Sequence, residues 1–392
     1  MPWKKVEPMD QKIKLISQWK EGESITEICK DLGVSRKTAY KWINRYKDYE
    51  IDGLKDRSRA PHSHPNEVTL DVKNLLIAEK IKRPKWGPKK LIKRLEAEHP
   101  ELNWPATSTA GSILDKSNLV QPRKKRKRVP PYTTPFVDCN NPNDVWSIDY
   151  KGQFPTGSKQ ICYPFTVTDN YSRFLLSVKA FPGPRYISTK IAMEMIFREY
   201  GLPQSIRSDN GKPFASNGLG GLSRLSIWWI KLGINPERIE PGKPEQNGRH
   251  ERMHRTLKEA TVIEPGYTLA DQQDIFDQFI YEFNFERPHE AIGMDCPIVH
   301  YRKSTRDYFD PPETMDYDSS FHVLKVKSSG EIKLKSKNYY ISDVLIGERI
   351  GLKKVAEDIY QIFFSFQAIG FINIRKVKVL KYTENVLPIC PV

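Results

Sequence analysis

The chain has 392 residues, 38% of them hydrophobic, enough to bury more than one core. Lys and Arg number 63 against 48 Asp and Glu, a formal charge of +15 that points away from an enzyme of neutral small molecules and toward a polyanionic partner. The five cysteines, Cys29, Cys139, Cys162, Cys296 and Cys390, form no Cys-x-x-Cys pair, which argues against a disulfide frame or a cysteine zinc site and for a reducing compartment. No apolar run has the length of a membrane span, and Met1-Pro2-Trp3-Lys4-Lys5 lacks the core of a signal peptide, so a cytoplasmic protein with no membrane partner is expected.

The first predicted unit, residues 1–52, is a helix-turn-helix. Ser24-Ile25-Thr26-Glu27 has the capping-box form, and Ile25, Ile28, Cys29 and Leu32 keep helical spacing up to Gly33. Ser35 then caps a second helix to about Tyr46, with Val34, Ala39, Trp42 and Ile43 inward and Arg36, Lys37, Tyr40 and Lys41 outward, as a DNA-reading helix requires. Residues 53–65 are polar and turn-rich, a linker. In residues 66–121, Val72, Leu75, Leu76 and Ile81, then Leu91, Ile92 and Leu95 after Trp86-Gly87-Pro88, and finally Thr107 to Leu119, predict a second helix-turn-helix-like unit. Residues 122–135 hold six consecutive cations, Arg123, Lys124, Lys125, Arg126, Lys127 and Arg128. Such a run repels itself until a polyanion neutralises it, so a contact with DNA backbone is expected there.

Residues 136–302 alternate strand and helix signals. Strands are expected at Val145 to Tyr150, Ile161 to Thr168, Arg173 to Val178 and Ser205 to Arg207, with a helix at Thr189 to Tyr200. A meander followed by alternation predicts a mixed α/β sheet. Residues 303–392 are strand-rich with short turns and predict a small antiparallel β-barrel.

Phosphodiester cleavage and transfer need bound metal, and hard oxygen donors suit Mg²⁺ or Mn²⁺. Asp149 lies opposite Trp146, Ile148 and Tyr150 in its strand and so points out of the apolar packing. Asp209 closes the strand after Arg207, at the edge where open α/β sheets place their sites. A third acid, Glu251, opens a basic helix.

Trp146-Ser147-Ile148-Asp149, Ser208-Asp209-Asn210-Gly211, Pro244 through Lys258 and Arg287-Pro288-His289 together resemble the integrase core of DDE transposases, the bacterial insertion-sequence enzymes related to retroviral integrases. The N-terminal units and the C-terminal barrel resemble that family too. The resemblance implies a multidomain α+β protein with an RNase H-like catalytic core, strand transfer with two Mg²⁺ (or Mn²⁺) ions, double-stranded DNA partners (transposon ends and target), a dimer or tetramer on DNA, and the bacterial cytosol or nucleoid. Asp149, Asp209 and Glu251 would be its catalytic and metal-holding residues.

Many members of that family leave 35 residues between the second aspartate and the glutamate, a count that lands on Glu245. The family glutamate, however, follows a loop glycine and two residues, with cations four and seven positions on. From Gly248 that pattern selects Glu251, Arg255 and Lys258, which share one helical face turned to DNA. The 41 residues then separating the acids imply an insertion, assigned to Asn217-Gly218-Leu219-Gly220-Gly221. Asp169 is expected to cap its turn or pair with Arg173.

Two other readings compete. A transposase-derived, non-catalytic DNA-binding protein would keep the same architecture. His250-Glu251-Arg252-Met253-His254 matches the H-E-x-x-H of zinc peptidases, with Asp274 or Glu282 as third ligand by spacing. The surrounding Arg249, Arg252, Arg255 and Lys258 oppose a buried zinc helix.

Overall fold

The structure, a computed structural model, describes residues 8–57, 67–120, 139–216, 218–240, 244–375 and 378–380. The chain divides into two units, residues 1–67 and 68–392. The basic run Arg123 to Arg128, and most of the expected 53–65 linker, lie outside the described residues.

The first unit is three helices, α1 (Pro8–Lys20), α2 (Ile25–Leu32) and α3 (Arg36–Tyr49). Its core joins Leu15 and Ile16, from a helix that the sequence reading left out, to Ile28, Cys29, Ala39, Trp42 and Ile43. Gly33 adopts φ 64° and turns α2 into α3, whose Ser35 hydroxyl accepts from the Thr38 N–H. The capping box at Ser24 does not form. Ser24 makes no side-chain cap bond to the start of α2. Leu54, expected in the linker, is buried in this core, and Gly53 is needed beside it because a Cβ there would meet the Arg45 carbonyl.

In the second unit α4 (Leu70–Lys82), α5 (Pro88–Glu98) and α6 (Thr107–Lys116) pack around Leu76, Trp86, Leu91, Leu95 and Leu114. Ile81 faces solvent, contrary to expectation. Lys80 takes the inner position, its ammonium donating to the Pro84 and Trp86 carbonyls at 2.7 and 2.9 Å. A buried ion network joins these helices to the core: Arg83 pairs with Glu79 and Glu286, Arg94 with Glu79, and the Trp86 indole donates to Glu282.

The core sheet comprises β1 (Val145–Tyr150), β2 (Phe154–Pro155), β3 (Ile161–Asp169), β4 (Leu175–Phe181), β5 (Ser205–Ser208) and β6 (Asn235–Arg238). β4, β3 and β1 form an antiparallel meander, and β5 and β6 continue from β1 in parallel. β4 starts at Leu175 and not at the expected Arg173, because Arg173 sits at φ 68° in a turn held by the Asp169 carboxylate. Helices α7 (Tyr186–Tyr200) and α8 (Arg224–Lys231) cover one face with Trp146, Ile148, Phe197, Trp228 and Trp229. α9 (Gly248–Thr261) and α10 (Leu269–Tyr281) cover the other through Met253, Leu257, Phe276 and Phe279. The chain beyond Arg302 stays on the core for a few residues, where Arg306 donates to the carbonyls of Pro203, Leu232 and Gly233.

The C-terminal part is antiparallel, with β7 (His322–Lys325), β8 (Glu331–Leu334), β9 (Lys337–Tyr340), β10 (Arg349–Ala356), β11 (Ile359–Phe364), β12 (Gln367–Asn373) and β13 (Lys378–Leu380). Five strands pair in the order β13-β12-β11-β10-β7, and the β8–β9 hairpin packs between the two edge strands, so the barrel-like form is completed by side-chain packing. Its hydrophobic core is shared with the core-sheet part. Leu219 and Leu222, from the loop ahead of α8, and Ile227 and Ile230 of α8 join Ile350, Ile362 and Ile369, and Lys231 lies 2.7 Å from Glu348.

Candidate active site

β1 alternates as its sequence dictates, with Trp146 and Ile148 in the core beneath α7 and α8 and Ser147 and Asp149 on the α9 face. Parallel pairing sets Ser147 opposite Arg207, and carrying that register forward two residues brings Asp149 level with Asp209. Asp209 leaves the sheet in a tight turn, where its carboxylate accepts the Gly211 N–H at 3.0 Å. A Cβ at position 211 would stand 3.0 Å from that carboxylate, so glycine lets the backbone close on it. Glu251 is exposed in the first turn of α9, where the helix dipole favours a carboxylate.

The acids feel one another. Asp149 is pushed up to about 7, first by burial and then by the Asp209 charge, with a further push from Glu251, against the Tyr150 N–H and Lys151, which favour its anion. The donor set is all oxygen, and a cation among these carboxylates would relieve the repulsion that raises Asp149, so the residues present fit Mg²⁺ or Mn²⁺. Among the described residues no three acidic, histidine or cysteine side chains close into a finished ligand cage.

The loop before α9 is tied to the sheet by groups that the sequence reading did not single out. Ser147 Oγ donates to Asn247 Oδ1 at 3.0 Å, Asn170 donates to Ser147 at 2.8 Å, and Arg249 donates to the Asn170 carbonyl at 3.1 Å. The run Gln246-Asn247 next to a helix start was the available signal. Glu245 lies one turn earlier, in the 3-10 segment Pro244–Asn247. Arg255 and Lys258 follow Glu251 along the exposed side of α9, as spacing predicted.

His250 and His254 do not form a zinc site. Both are buried, with Nε2 of each against Thr166 Oγ1 at 2.9 and 2.7 Å, and His250 Nδ1 against Thr168 Oγ1 at 2.7 Å. Asp274 is exposed, and Glu282 is engaged by Trp86. The peptidase reading therefore fails on geometry, because the nitrogens it needs as ligands are spent on threonine hydroxyls. Asp169 caps its turn, accepting from the Ser172 N–H and hydroxyl at 2.8 and 2.6 Å and from the Asn143 N–H at 2.8 Å. His289 is half-buried against Phe283, its Nε2 3.2 Å from the Phe283 carbonyl, and is pushed down to about 3 by burial first. In the first unit Arg36, Lys37, Tyr40 and Lys41 all face outward from α3.

The integrase core domain family matches residues 140–244 and again 232–297, the helix-turn-helix domain family residues 11–62 and the homeodomain-like domain family residues 38–114. Similar proteins include an uncharacterized 39.2 kDa protein of insertion element IS476 from Xanthomonas euvesicatoria, 25% identical over 71% of this chain and 78% of its own. An uncharacterized 31.7 kDa protein of insertion element IS407 from Burkholderia multivorans is 26% identical over 61% of this chain and 82% of its own. The Gag-Pol polyprotein of baboon endogenous virus is 37% identical over 31% of this chain and 6% of its own. Among solved structures, a simian T-cell lymphotropic virus intasome chain aligns at 15% identity over 74% of this chain and 93% of that one, with TM-score 0.36. Among the described residues no helix is long and apolar enough to cross a membrane.

Proposed function

We propose, from the premise that this is an insertion-sequence transposase with an integrase core, that it binds the ends of its element and catalyses 3′-end cleavage and strand transfer into target DNA. The observation that carries the proposal is the level placement of Asp149 on β1 and Asp209 just past the end of the parallel strand β5, beneath the start of α9, with the Asp149 carboxyl raised by burial first and then by the charges of Asp209 and Glu251. A cation among these carboxylates would relieve their mutual repulsion.

Asp149, Asp209 and Glu251 would hold two divalent cations, Mg²⁺ or Mn²⁺. When bound, the metal supplies activation of a water or 3′-hydroxyl nucleophile and stabilises the leaving oxygen. Arg255 and Lys258, on the exposed side of α9, would grip phosphate and seat the scissile strand over the acids. Arg36, Lys37, Tyr40 and Lys41 would read base edges in a major groove, and Arg123, Lys124, Lys125, Arg126, Lys127 and Arg128 would follow the backbone. Two DNA ends must be joined in one event, which favours a dimer or tetramer on DNA.

Incubation of the purified chain with its element's terminal repeats, a target plasmid and Mg²⁺ tests the proposal. Joined products with free 3′-ends attached to target are expected. End binding without joined products in either metal would leave only a DNA-binding protein.

A further inference from the structure

Beneath the acids lies a closed polar layer between α9 and the sheet, made of Thr166, Thr168, His250 and His254, each no more than 5% exposed. Its protons can be counted. Thr166 Oγ1 has three neighbours: the Asp149 carbonyl at 3.0 Å, His250 Nε2 at 2.9 Å and His254 Nε2 at 2.7 Å. A hydroxyl owns one hydrogen and two lone pairs, and a carbonyl only accepts. The single hydrogen therefore goes to the Asp149 carbonyl, and both imidazoles must donate N–H to the same oxygen. His250 Nδ1 lies 2.7 Å from the Thr168 hydroxyl, and His254 Nδ1 faces Asp149 Oδ2 at 3.6 Å.

We infer that Thr166 is a positioning residue of the active site, whose oxygen takes the Nε2–H of both His250 and His254 while its own hydrogen holds the Asp149 carbonyl, and so fixes Asp149 on β1 relative to the first turns of α9, where Glu251 sits. The inference rests on the reading of these acids as the cation-holding set.

The test uses the full chain with Thr166→Val, which keeps shape and removes the hydroxyl, and Thr166→Ser, which keeps the hydroxyl. Mn²⁺ affinity is measured by calorimetry, and ring tautomers by nitrogen-15 spectra of histidine-labelled protein. Both buried rings should carry a proton on Nε2 in the unaltered chain and in Thr166→Ser, with Mn²⁺ affinity unchanged in Thr166→Ser. Thr166→Val should weaken Mn²⁺ binding by about 10-fold or more, the range for lost outer support of metal ligands, while binding of DNA ends persists. Unchanged Mn²⁺ affinity in Thr166→Val, equal loss in Thr166→Ser, or an Nε2 without a proton on either ring would overturn the inference. The tautomer measurement needs no variant, so it decides even if Thr166→Val fails to fold. Asp149→Asn separates the two levels: if it leaves Mn²⁺ binding intact, the reading of the acids fails; if it abolishes binding while Thr166→Val does not, only the positioning role fails.

Discussion

Leu219, in the loop between β5 and α8, packs so closely on Gly370 of β12 that a Cβ at Gly370 would lie 2.6 Å from Leu219 Cδ1. The loop carries a hydrophobic contact from the core sheet to the C-terminal strands, and Gly220, at φ 62°, rests against Ile369 beside it. Gly370→Ala should cost about 1–3 kcal/mol by overpacking, and adding Leu219→Ala should recover part of that loss. Thermal unfolding of the single and double variants checks this, and strict additivity would show that the two residues are not coupled.

The three acids can be told from their decoy by conservative change. Asp149→Asn, Asp209→Asn and Glu251→Gln should each lower strand transfer by at least about 100-fold, the scale of losing charge stabilisation at a transferring phosphoryl group, with end binding retained. Glu245→Gln should leave transfer within about threefold of the unaltered chain, because a group outside the reacting set contributes little to the barrier. A dead Glu245 variant beside an active Glu251 variant would move the third acid to the loop.

Asp149 should make stability depend on pH when divalent cation is chelated. Its folded pKa of about 7 lies above the ordinary 3.8, so its contribution to stability is full below pH 4 and is lost as the pH rises through 7. Asp149→Asn removes that titration. In chelator, the Asn variant should therefore gain on the order of 2–4 kcal/mol over the unaltered chain at pH 8, and the gain should shrink steadily toward pH 4. Melting curves that differ by the same amount at pH 5 and pH 8 would contradict this.

Recognition and backbone contact should separate under salt. Replacing Arg36, Lys37 and Lys41 of α3 by alanine should weaken binding to element ends far more than to scrambled duplex, since base edges carry the sequence information. Neutralising Arg123 through Arg128 should weaken both alike and flatten the salt dependence, because phosphate contacts release counterions whatever the sequence. End-selective loss from the linker variant, measured at several salt concentrations, would reverse the assignment.

The ion network that docks the second helical unit should be sensitive to one partner. Glu286→Gln leaves Arg83 and Arg94, with side chains 6% and 16% exposed, sharing Glu79, and should cost about 1–3 kcal/mol. Faster proteolysis between residues 68 and 140 is the expected sign, and unchanged cleavage would show that the helices are held by packing alone.

Much of this protein was legible in its amino-acid order because the signals are local. Alternation in Val145 to Tyr150 placed Asp149 on the face away from Trp146 and Ile148, and the turn residues Asn210-Gly211 put Asp209 just past the end of β5. Helical spacing turned Arg36, Lys37, Tyr40 and Lys41 outward, and put Glu251, Arg255 and Lys258 on one side of α9. Two local signals failed: the capping-box pattern at Ser24 formed no cap, and Ile81 kept helical spacing but faced solvent, its inner place taken by Lys80. What only the tertiary structure decided involves partners far apart in the chain. His250 and His254, spaced as zinc ligands, became buried neutral rings because Thr166 and Thr168, more than 80 residues away, supply the oxygens that claim their nitrogens. The glycine-rich loop ahead of α8 was visible in the sequence, but its use was not, since Gly370 and Ile369 meet it only when the C-terminal strands fold back on α8. Spacing along one element follows from backbone geometry alone, whereas the partner of a buried polar or apolar group is chosen by which distant surface covers it.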